Sequence, residues 1–193
     1  EANAQLCHFA LLVGHSPTHV DGHQHAHVAP GMAEVLSTVF KAAGVRTTRV
    51  PDELLAPCTG NPFYTQVVVQ ARAARRAYRA AGLRCPDCFF GLGTMGEDMT
   101  PAAIASQCRR SVWRRARPRG WAEWMVHPGL RPPADDRKAG GCGAGVDDFC
   151  RSTGRETELR ALTNPLLRTF FQQERYALKS WDELAADTGS APA

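Results

Sequence analysis

The chain has 193 residues, enough for one globular domain with a sizeable core, and its composition excludes a fibrous or intrinsically disordered protein. Its net charge of +4 at pH 7 is too small to indicate a nucleic-acid or anionic-membrane partner, and the sequence contains no apolar run of membrane-spanning length. The seven cysteines, an odd number scattered along the chain, favour a reducing compartment, so we expect a cytoplasmic protein with neither nucleic acid nor a membrane as its partner.

The first predicted element is an amphipathic helix over residues 1–13, with Leu6, Phe9, Ala10 and Val13 spaced along one face. The first residue is Glu rather than an initiator Met, and the helical pattern is already under way there. We therefore expect the chain to be the later part of a longer protein.

The stretch over residues 18–27 holds four of the seven histidines and is predicted to be a strand that runs into a loop. His19, Asp21, His23, His25 and His27 occupy alternate positions, so an extended backbone would point all five side chains to one side. A helix would also align three of the histidines, but the Pro and Gly residues within and around the stretch argue against it. A solvated loop that binds metal only adventitiously is the alternative, and the aspartate among the histidines favours a built metal site.

Neutral imidazole is a ligand for zinc and chemically similar divalent ions. Three imidazoles at alternate positions stand too far apart to share one ion, so only one or two of them are expected to bind it. The other ligands must come from elsewhere, preferably from a carboxylate. Asp21 is a candidate ligand, or a partner that fixes the tautomer of a histidine.

Helices and strands then alternate, with connections long enough for crossovers between parallel strands. This alternation predicts an α/β fold in which parallel strands form a sheet or a barrel. The expected elements in chain order are a helix over 30–43, a strand over 45–50, a helix over 61–81, a strand over 88–92, a helix over 100–117, a strand over 121–127, a long Gly- and Pro-rich loop over 130–150, a helix over 155–171 and a short strand over 176–180.

Three polar candidates, His23, Arg49 and His127, each end a predicted strand just before a turn. In parallel α/β folds the active site lies at the C-terminal ends of the strands, so we expect these side chains to line it. An imidazole at position 127 would be able to move a proton near neutral pH. Taken alone, His127 would more simply be a histidine at the edge of the sheet that hydrogen-bonds to the backbone.

The other motifs favour structural interpretations. Cys85 and Cys88 have the spacing of half a zinc knuckle or a redox pair, but two unlinked thiols beside a turn are the preferred interpretation. The arginines between Arg109 and Arg119 fit the solvated face of an amphipathic helix better than a phosphate-binding surface. The sequence contains no phosphate loop and no nucleophile elbow, which disfavours nucleotide-dependent chemistry and serine hydrolysis.

Four segments together resemble the YdjC-like carbohydrate deacetylases over nearly the whole chain. They are residues 17–27 with the histidine triplet, Met125–Gly129 around His127, the Gly-rich loop Gly140–Gly143, and Arg155–Leu159 with the Ala-Leu-Thr that follows it. The Gly-rich loop makes the animal branch of the family the closest match.

The resemblance implies a partial deformed (β/α) barrel that spans residues 1–193 as a single domain. It also implies a divalent metal, magnesium or zinc, and hydrolysis of N-acetyl groups from amino sugars or oligosaccharides. In this family the first histidine of the triplet binds the metal, which falls on His23, and by analogy His127 protonates the leaving amine. Asp21, His25, His27 and Arg49 are then expected to line the pocket or support the ligands, and the resemblance leaves the oligomeric state open.

The family also has a strand-borne Asp-Asp pair, which supplies a metal ligand and the catalytic base, and a second ligand histidine. Both come from an N-terminal portion that this sequence does not contain. The chain is therefore expected to be an incomplete piece of an active deacetylase. The alternative is a shortened, catalytically inactive barrel relative that binds a sugar or another protein.

Overall fold

The computed structural model of the chain describes residues 1–54, 60–115, 120–133 and 148–186. Its strands are short and all pair in parallel, β1 with β2 and β3 with β4. Single parallel bridges, Thr47 to Arg84 and Glu53 to Phe89, connect the two pairs in the chain order β1-β2-β3-β4. The strands are β1 (His19–Val20), β2 (Thr47–Thr48), β3 (Cys88–Phe90) and β4 (Ala122–Trp124).

Helices separate the strands, so the predicted α/β class with parallel strands is confirmed. The described residues form no closed barrel, and the barrel itself stays a prediction. None of the helices in the described ranges is long and apolar enough to cross a membrane. The helices are α1 (Ala2–Val13), α2 (Met32–Ala42), α3 (Pro62–Ala80), α4 (Pro101–Arg115), α5 (Asp148–Arg151), α6 (Gly154–Leu162), α7 (Pro165–Gln173) and α8 (Trp181–Ala186).

The hydrophobic core packs helices against the strands. One cluster joins α2 and α3 through the stacked rings of Phe40 and Tyr78, whose centroids are 6.1 Å apart. A second cluster packs α4, α6 and α7 around Phe90 of β3, and a third surrounds the fully buried Phe89. The buried Tyr78 hydroxyl also donates a hydrogen bond of 2.7 Å to the carbonyl of His27, which fixes the histidine-rich segment against α3.

The prediction of an extended histidine stretch is wrong beyond Asp21. Only His19–Val20 is a strand. Residues His23–Val28 form short helical turns on either side of a kink, at which Gln24 and His25 have left-handed φ values of 49° and 61°. The chain turns back at Gly22, where a Cβ atom would lie 2.8 Å from the backbone nitrogen of His27. The five alternating side chains therefore do not share one face.

Two predictions near the C-terminus are also wrong. The predicted helix over 155–171 is two helices, α6 and α7, because Asn164 and Pro165 start a new helix with an Asn cap that accepts a hydrogen bond from Leu166. No strand forms over residues 176–180; α8 follows instead.

Two further predictions agree with the structure only in part. In α1 only Leu6 is buried, whereas Phe9 and Val13 of the predicted apolar face are exposed. The predicted loop over 130–150 ends in helix α5, which begins at Asp148, and its residues 134–147, including the Gly140–Gly143 motif, lie outside the described residues. The predicted end of the 100–117 helix also lies outside them.

Candidate functional site

A polar cluster centred on Arg49 lies at the ends of β1 and β2 and against β4. Arg49 directly follows β2, Asp21 directly follows β1, and Glu123 is the central residue of β4. The guanidinium group lies 2.5 Å from Asp21 Oδ2 through Nη1, and 2.5 Å from Glu123 Oε1 through Nε. One cation thus bridges two carboxylates, of which Glu123 is almost fully buried. A buried carboxylate requires such a partner, because removing it from water is costly.

His19 extends the Arg49 cluster. Its Nδ1 donates a hydrogen bond of 3.1 Å to Thr47 Oγ1, because the Thr47 hydroxyl donates its own hydrogen to the Thr18 carbonyl. The other ring nitrogen, Nε2, lies 3.6 Å from Glu123 Oε1, and Trp181 of α8 stacks on the ring with centroids 3.6 Å apart. Among the described residues, His19 Nε2 and Glu123 Oε2 are buried without a hydrogen-bond partner, which marks a place where a ligand or water would bind.

The donor set of this cluster partly suits a metal ion. His19, Asp21 and Glu123 each offer a ligand atom, and these atoms lie within 4.8 Å of one another. One imidazole with two carboxylates is a combination that zinc accepts. However, Arg49 already contacts both carboxylates, so a divalent ion here would compete with a resident positive charge. The donor atoms fit a metal, and Arg49 offsets one of the two negative charges that would hold it.

His27 stabilises the Arg49 cluster through two backbone hydrogen bonds. Its Nδ1 accepts a hydrogen bond from the backbone N–H of Gly22, and its Nε2 donates one to the carbonyl of Arg49, both at 2.9 Å. Burial lowers the pKa of His27. Both ring nitrogens are therefore committed to the backbone, and the neutral ring holds Arg49 in place.

His25 is also buried, next to Arg49 and Phe89. Its ring meets the edge of Phe89 at a centroid distance of 6.2 Å, and its Nδ1 has no hydrogen-bond partner among the described residues. Burial, followed by the charge of Arg49, lowers the pKa of His25 to about 4. The ring is consequently uncharged at neutral pH and suits hydrogen bonding rather than acid–base chemistry.

His127 lies three residues after β4, and its side chain is 30% exposed. Its backbone N–H donates to Glu158 of α6, whose other carboxylate oxygen accepts from Gly96 at 2.7 Å. The ring of Phe149 packs perpendicular to that of His127, with centroids 5.2 Å apart. His127 therefore lies on a strand-end loop that α5 and α6 hold in place.

The structure brings only some of the predicted residues together. Asp21 and Arg49 meet in one cluster, and His25 and His27 adjoin it. His23 is exposed, and among the described residues no hydrogen bond, ion pair or ring contact joins it to His127. The proposed pairing of these two rings stays a prediction.

Among the described residues, four buried carboxylates were missed by the sequence analysis: Asp52, Glu53, Glu123 and Glu158. Glu53 accepts hydrogen bonds from the N–H groups of Leu92 and Gly93 and so shapes the loop after β3; burial raises its pKa. Glu123 could have been found from the sequence, because it is a single charged residue at the centre of an apolar strand. Glu53 and Glu158 gave no comparable signal, because their partners are backbone groups of distant loops.

A cavity of about 490 Å³ lies beyond the loop that carries His127. None of the residues of the Arg49 cluster lines it. The described lining residues are Arg131, Pro132, Pro133, Arg151 and Glu156.

These features define an α/β protein of parallel strands with a charged site at the strand ends. Residues 1–173 match the family model described as YdjC-like protein, and the chain belongs to this family. It is 41% identical over 197 residues to a carbohydrate deacetylase of Mus musculus and 40% identical over 193 residues to one of Homo sapiens. A carbohydrate deacetylase of Xenopus laevis is 35% identical over 199 residues.

These three alignments each cover 95% of the chain, but 61%, 58% and 64% of the mouse, human and frog relatives respectively. The chain thus spans about three fifths of the length of the curated relatives it matches. The family resemblance expected from the motifs is confirmed.

Proposed function

We propose that this chain is part of a metal-dependent carbohydrate deacetylase, an enzyme that hydrolyses N-acetyl groups of amino sugars or oligosaccharides. The observation that carries the proposal is the cluster of Asp21, Arg49 and Glu123 at the strand ends of a chain that belongs to the YdjC-like family. The names of the mouse and human relatives support the reaction and the class of substrate.

A divalent ion, magnesium or zinc, would polarise the acetyl carbonyl and activate water when bound. His23 is its proposed ligand, because the family resemblance implies a metal ligand at the first histidine of the triplet and because this side chain is exposed, two residues after Asp21. The resemblance assigns the remaining ligands and the catalytic base to an N-terminal portion that this sequence does not contain.

The chain's own residues have three roles in the proposed reaction. Arg49 fixes Asp21 and Glu123, so the negative charge beside the substrate keeps one arrangement. His25 keeps an uncharged ring beside Arg49, so it adds no second positive charge there. His127 donates a proton to the amine nitrogen as the bond between carbon and nitrogen breaks, since its ring reaches solvent at the strand end.

A second candidate is a catalytically inactive relative that binds a sugar or another protein. One observation favours it: Arg49 occupies both carboxylates that would otherwise bind a cation, and it offsets one of their two charges. This candidate predicts binding of N-acetylated sugars without release of acetate.

The test joins this chain to the N-terminal segment of the mouse relative and measures acetate released from N-acetylated oligosaccharides. We expect His23→Ala to lower the rate by about 100-fold or more, because loss of a metal ligand removes water activation. His15→Ala is the matched control, since His15 is an exposed histidine outside the triplet.

Equal rates for wild type and His23→Ala would overturn the metal assignment. Binding of the oligosaccharide by the joined wild type, with no acetate released, would favour the inactive relative.

A further inference from the structure

Glu158 connects two strand-end loops through one buried carboxylate. Its side chain is 1% exposed. Oε1 accepts a hydrogen bond of 2.7 Å from the backbone N–H of Gly96, in the loop after β3, and Oε2 accepts one from the backbone N–H of His127, in the loop after β4. A buried carboxylate that accepts two N–H hydrogen bonds is firmly held, so the backbone that carries the His127 ring is fixed in place.

The imidazole of His127 also faces this carboxylate. Its Nδ1 lies 3.8 Å from Glu158 Oε1, is buried, and has no hydrogen-bond partner among the described residues. This distance is too long for an ordinary hydrogen bond, and a small rotation of the ring would shorten it. Because the ring is 30% exposed while Nδ1 is buried, its exposed edge is the one that carries Nε2.

Other groups limit how the ring can turn and which charge it meets. Phe149 packs against it at an interplanar angle of 87°, and the guanidinium of Arg155 lies over Phe149, 5.9 Å from the centre of that ring. Arg155 thus contacts the ring of Phe149, and Glu158 is the carboxylate that meets the imidazole directly.

Glu158 is negatively charged at neutral pH. Burial raises the pKa of this carboxyl, but the contacts with the His127 ring and with the two N–H groups outweigh burial and lower it. An ionised carboxylate beside an imidazole favours the tautomer whose hydrogen points toward the carboxylate.

We propose that Glu158 is a positioning residue that holds His127 with its Nδ1 hydrogen toward the carboxylate and its Nε2 toward the substrate. This orientation of the ring can be tested without an active enzyme, whereas its role in catalysis rests on the proposed function. In that use, the protonated ring gives its Nε2 proton to the amine nitrogen. The electron pair of the broken carbon–nitrogen bond stays on that nitrogen, and the neutral ring keeps its hydrogen on Nδ1.

The orientation is tested by ¹⁵N NMR on this chain, labelled at histidine nitrogens and recorded at a pH where the rings are neutral. His127→Gln assigns the signals. We expect wild-type His127 to carry its hydrogen on Nδ1 and Glu158→Gln to move the population toward the Nε2–H form that free histidine prefers. Glu156→Gln is the matched control, because Glu156 lies on the same helix and pairs with Arg131 instead.

Wild-type His127 in the Nε2–H form would overturn the proposal, and this measurement does not depend on the folding of any Glu158 variant. An unchanged tautomer in a folded Glu158→Gln protein would overturn it too.

A second measurement uses the joined enzyme described above. We expect Glu158→Gln to lower kcat by about 10- to 100-fold with little change in KM, because substrate binding does not depend on the tautomer. Glu158→Asp, which keeps the charge, should restore part of kcat. A normal kcat together with a changed tautomer would refute the acid role of His127 and leave the positioning intact.

Discussion

At position 27 an imidazole serves as a bridge between two backbone segments. It accepts a hydrogen bond from the N–H of Gly22 and donates one to the carbonyl of Arg49. The ring is only 2% exposed. The third histidine of the triplet is thus a structural residue, and its loss would release the backbone that carries the Arg49 guanidinium.

We expect His27→Leu to destabilise the fold by about 2–4 kcal/mol, because a buried N–H and a buried carbonyl lose their partners at once. Urea unfolding of wild type and variant gives the measurement. His8→Leu, on the exposed side of α1, is the control. If the two substitutions have equal effects, the bridging role of His27 is wrong.

The pKa of His25, lowered to about 4 from an ordinary value of 6.5, predicts a pH effect on stability. Between about pH 4 and 6.5, the unfolded chain binds a proton at His25 more readily than the folded chain does. The contribution of His25 to the free energy of unfolding is therefore fully present above about pH 6.5. It is lost as the pH falls to 4, by up to about 3 kcal/mol. His25→Gln, measured by urea unfolding in the presence of a chelator, should remove this part of the pH dependence, whereas His8→Gln should keep it.

The sequence singled out the histidine triplet, but it did not reveal which of the three rings face solvent. That division depends on the turn at Gly22 and on the left-handed backbone of Gln24 and His25. Both are set by contacts with α3 and with Arg49, far away along the chain. Alternation along a strand contains no information of that kind.

At the scale of elements, β3 and β4 approach so closely that only glycine fits at position 91. Its φ is 132°, and a Cβ atom there would lie 2.5 Å from the carbonyl oxygen of Met125. The loop after β3 must therefore leave the strand in a conformation that side chains disfavour.

Gly91→Ala is expected to destabilise the protein by about 3 kcal/mol or more, since backbone strain and a backbone clash act together. Gly82→Ala separates the two effects, because Gly82 has a φ of 88° with open space around its Cβ position. That control should cost about 1–2 kcal/mol. Thermal unfolding gives both values, and equal losses would show that the Gly91 contact relaxes freely.

Helix periodicity predicted α2, α3 and α4 well, because each has an apolar stripe and a Pro or Gly at its boundary. It failed at Asn164 and Pro165, where a capped helix start was hidden inside one continuous periodic segment. The strands came out shorter than predicted, since pairing, rather than the run of branched residues, decides where a strand ends.

At the scale of the whole molecule, the alternation of elements was enough to predict parallel strands. It was not enough to predict the Arg49 cluster, whose members lie 28 and 74 positions apart along the chain, measured from Arg49 to Asp21 and to Glu123. Charged partners at such separations meet only once the strands are in order, so no local pattern identifies them.

We expect Arg49→Met to destabilise the protein by about 3–5 kcal/mol, because it leaves the buried Glu123 without its cation. In a His23→Ala background, zinc should then restore part of the stability of the variant, as the donor atoms of the cluster become available. Arg72→Met removes a half-exposed cation whose partner Asp52 keeps its ion pair with Arg75, so it should change stability by less than about 1 kcal/mol. Equal stabilisation by zinc with and without Arg49 would show that the guanidinium does not exclude the ion.

The stack of Trp181 on His19 places an indole from α8, far along the chain, on a ring of the first strand, only 4° from parallel. At that spacing a protonated imidazole quenches indole fluorescence more strongly than a neutral one. The fluorescence of Trp181 should therefore fall when His19 gains a proton and change when a ligand contacts that ring, so the protein contains its own optical reporter of what enters the site.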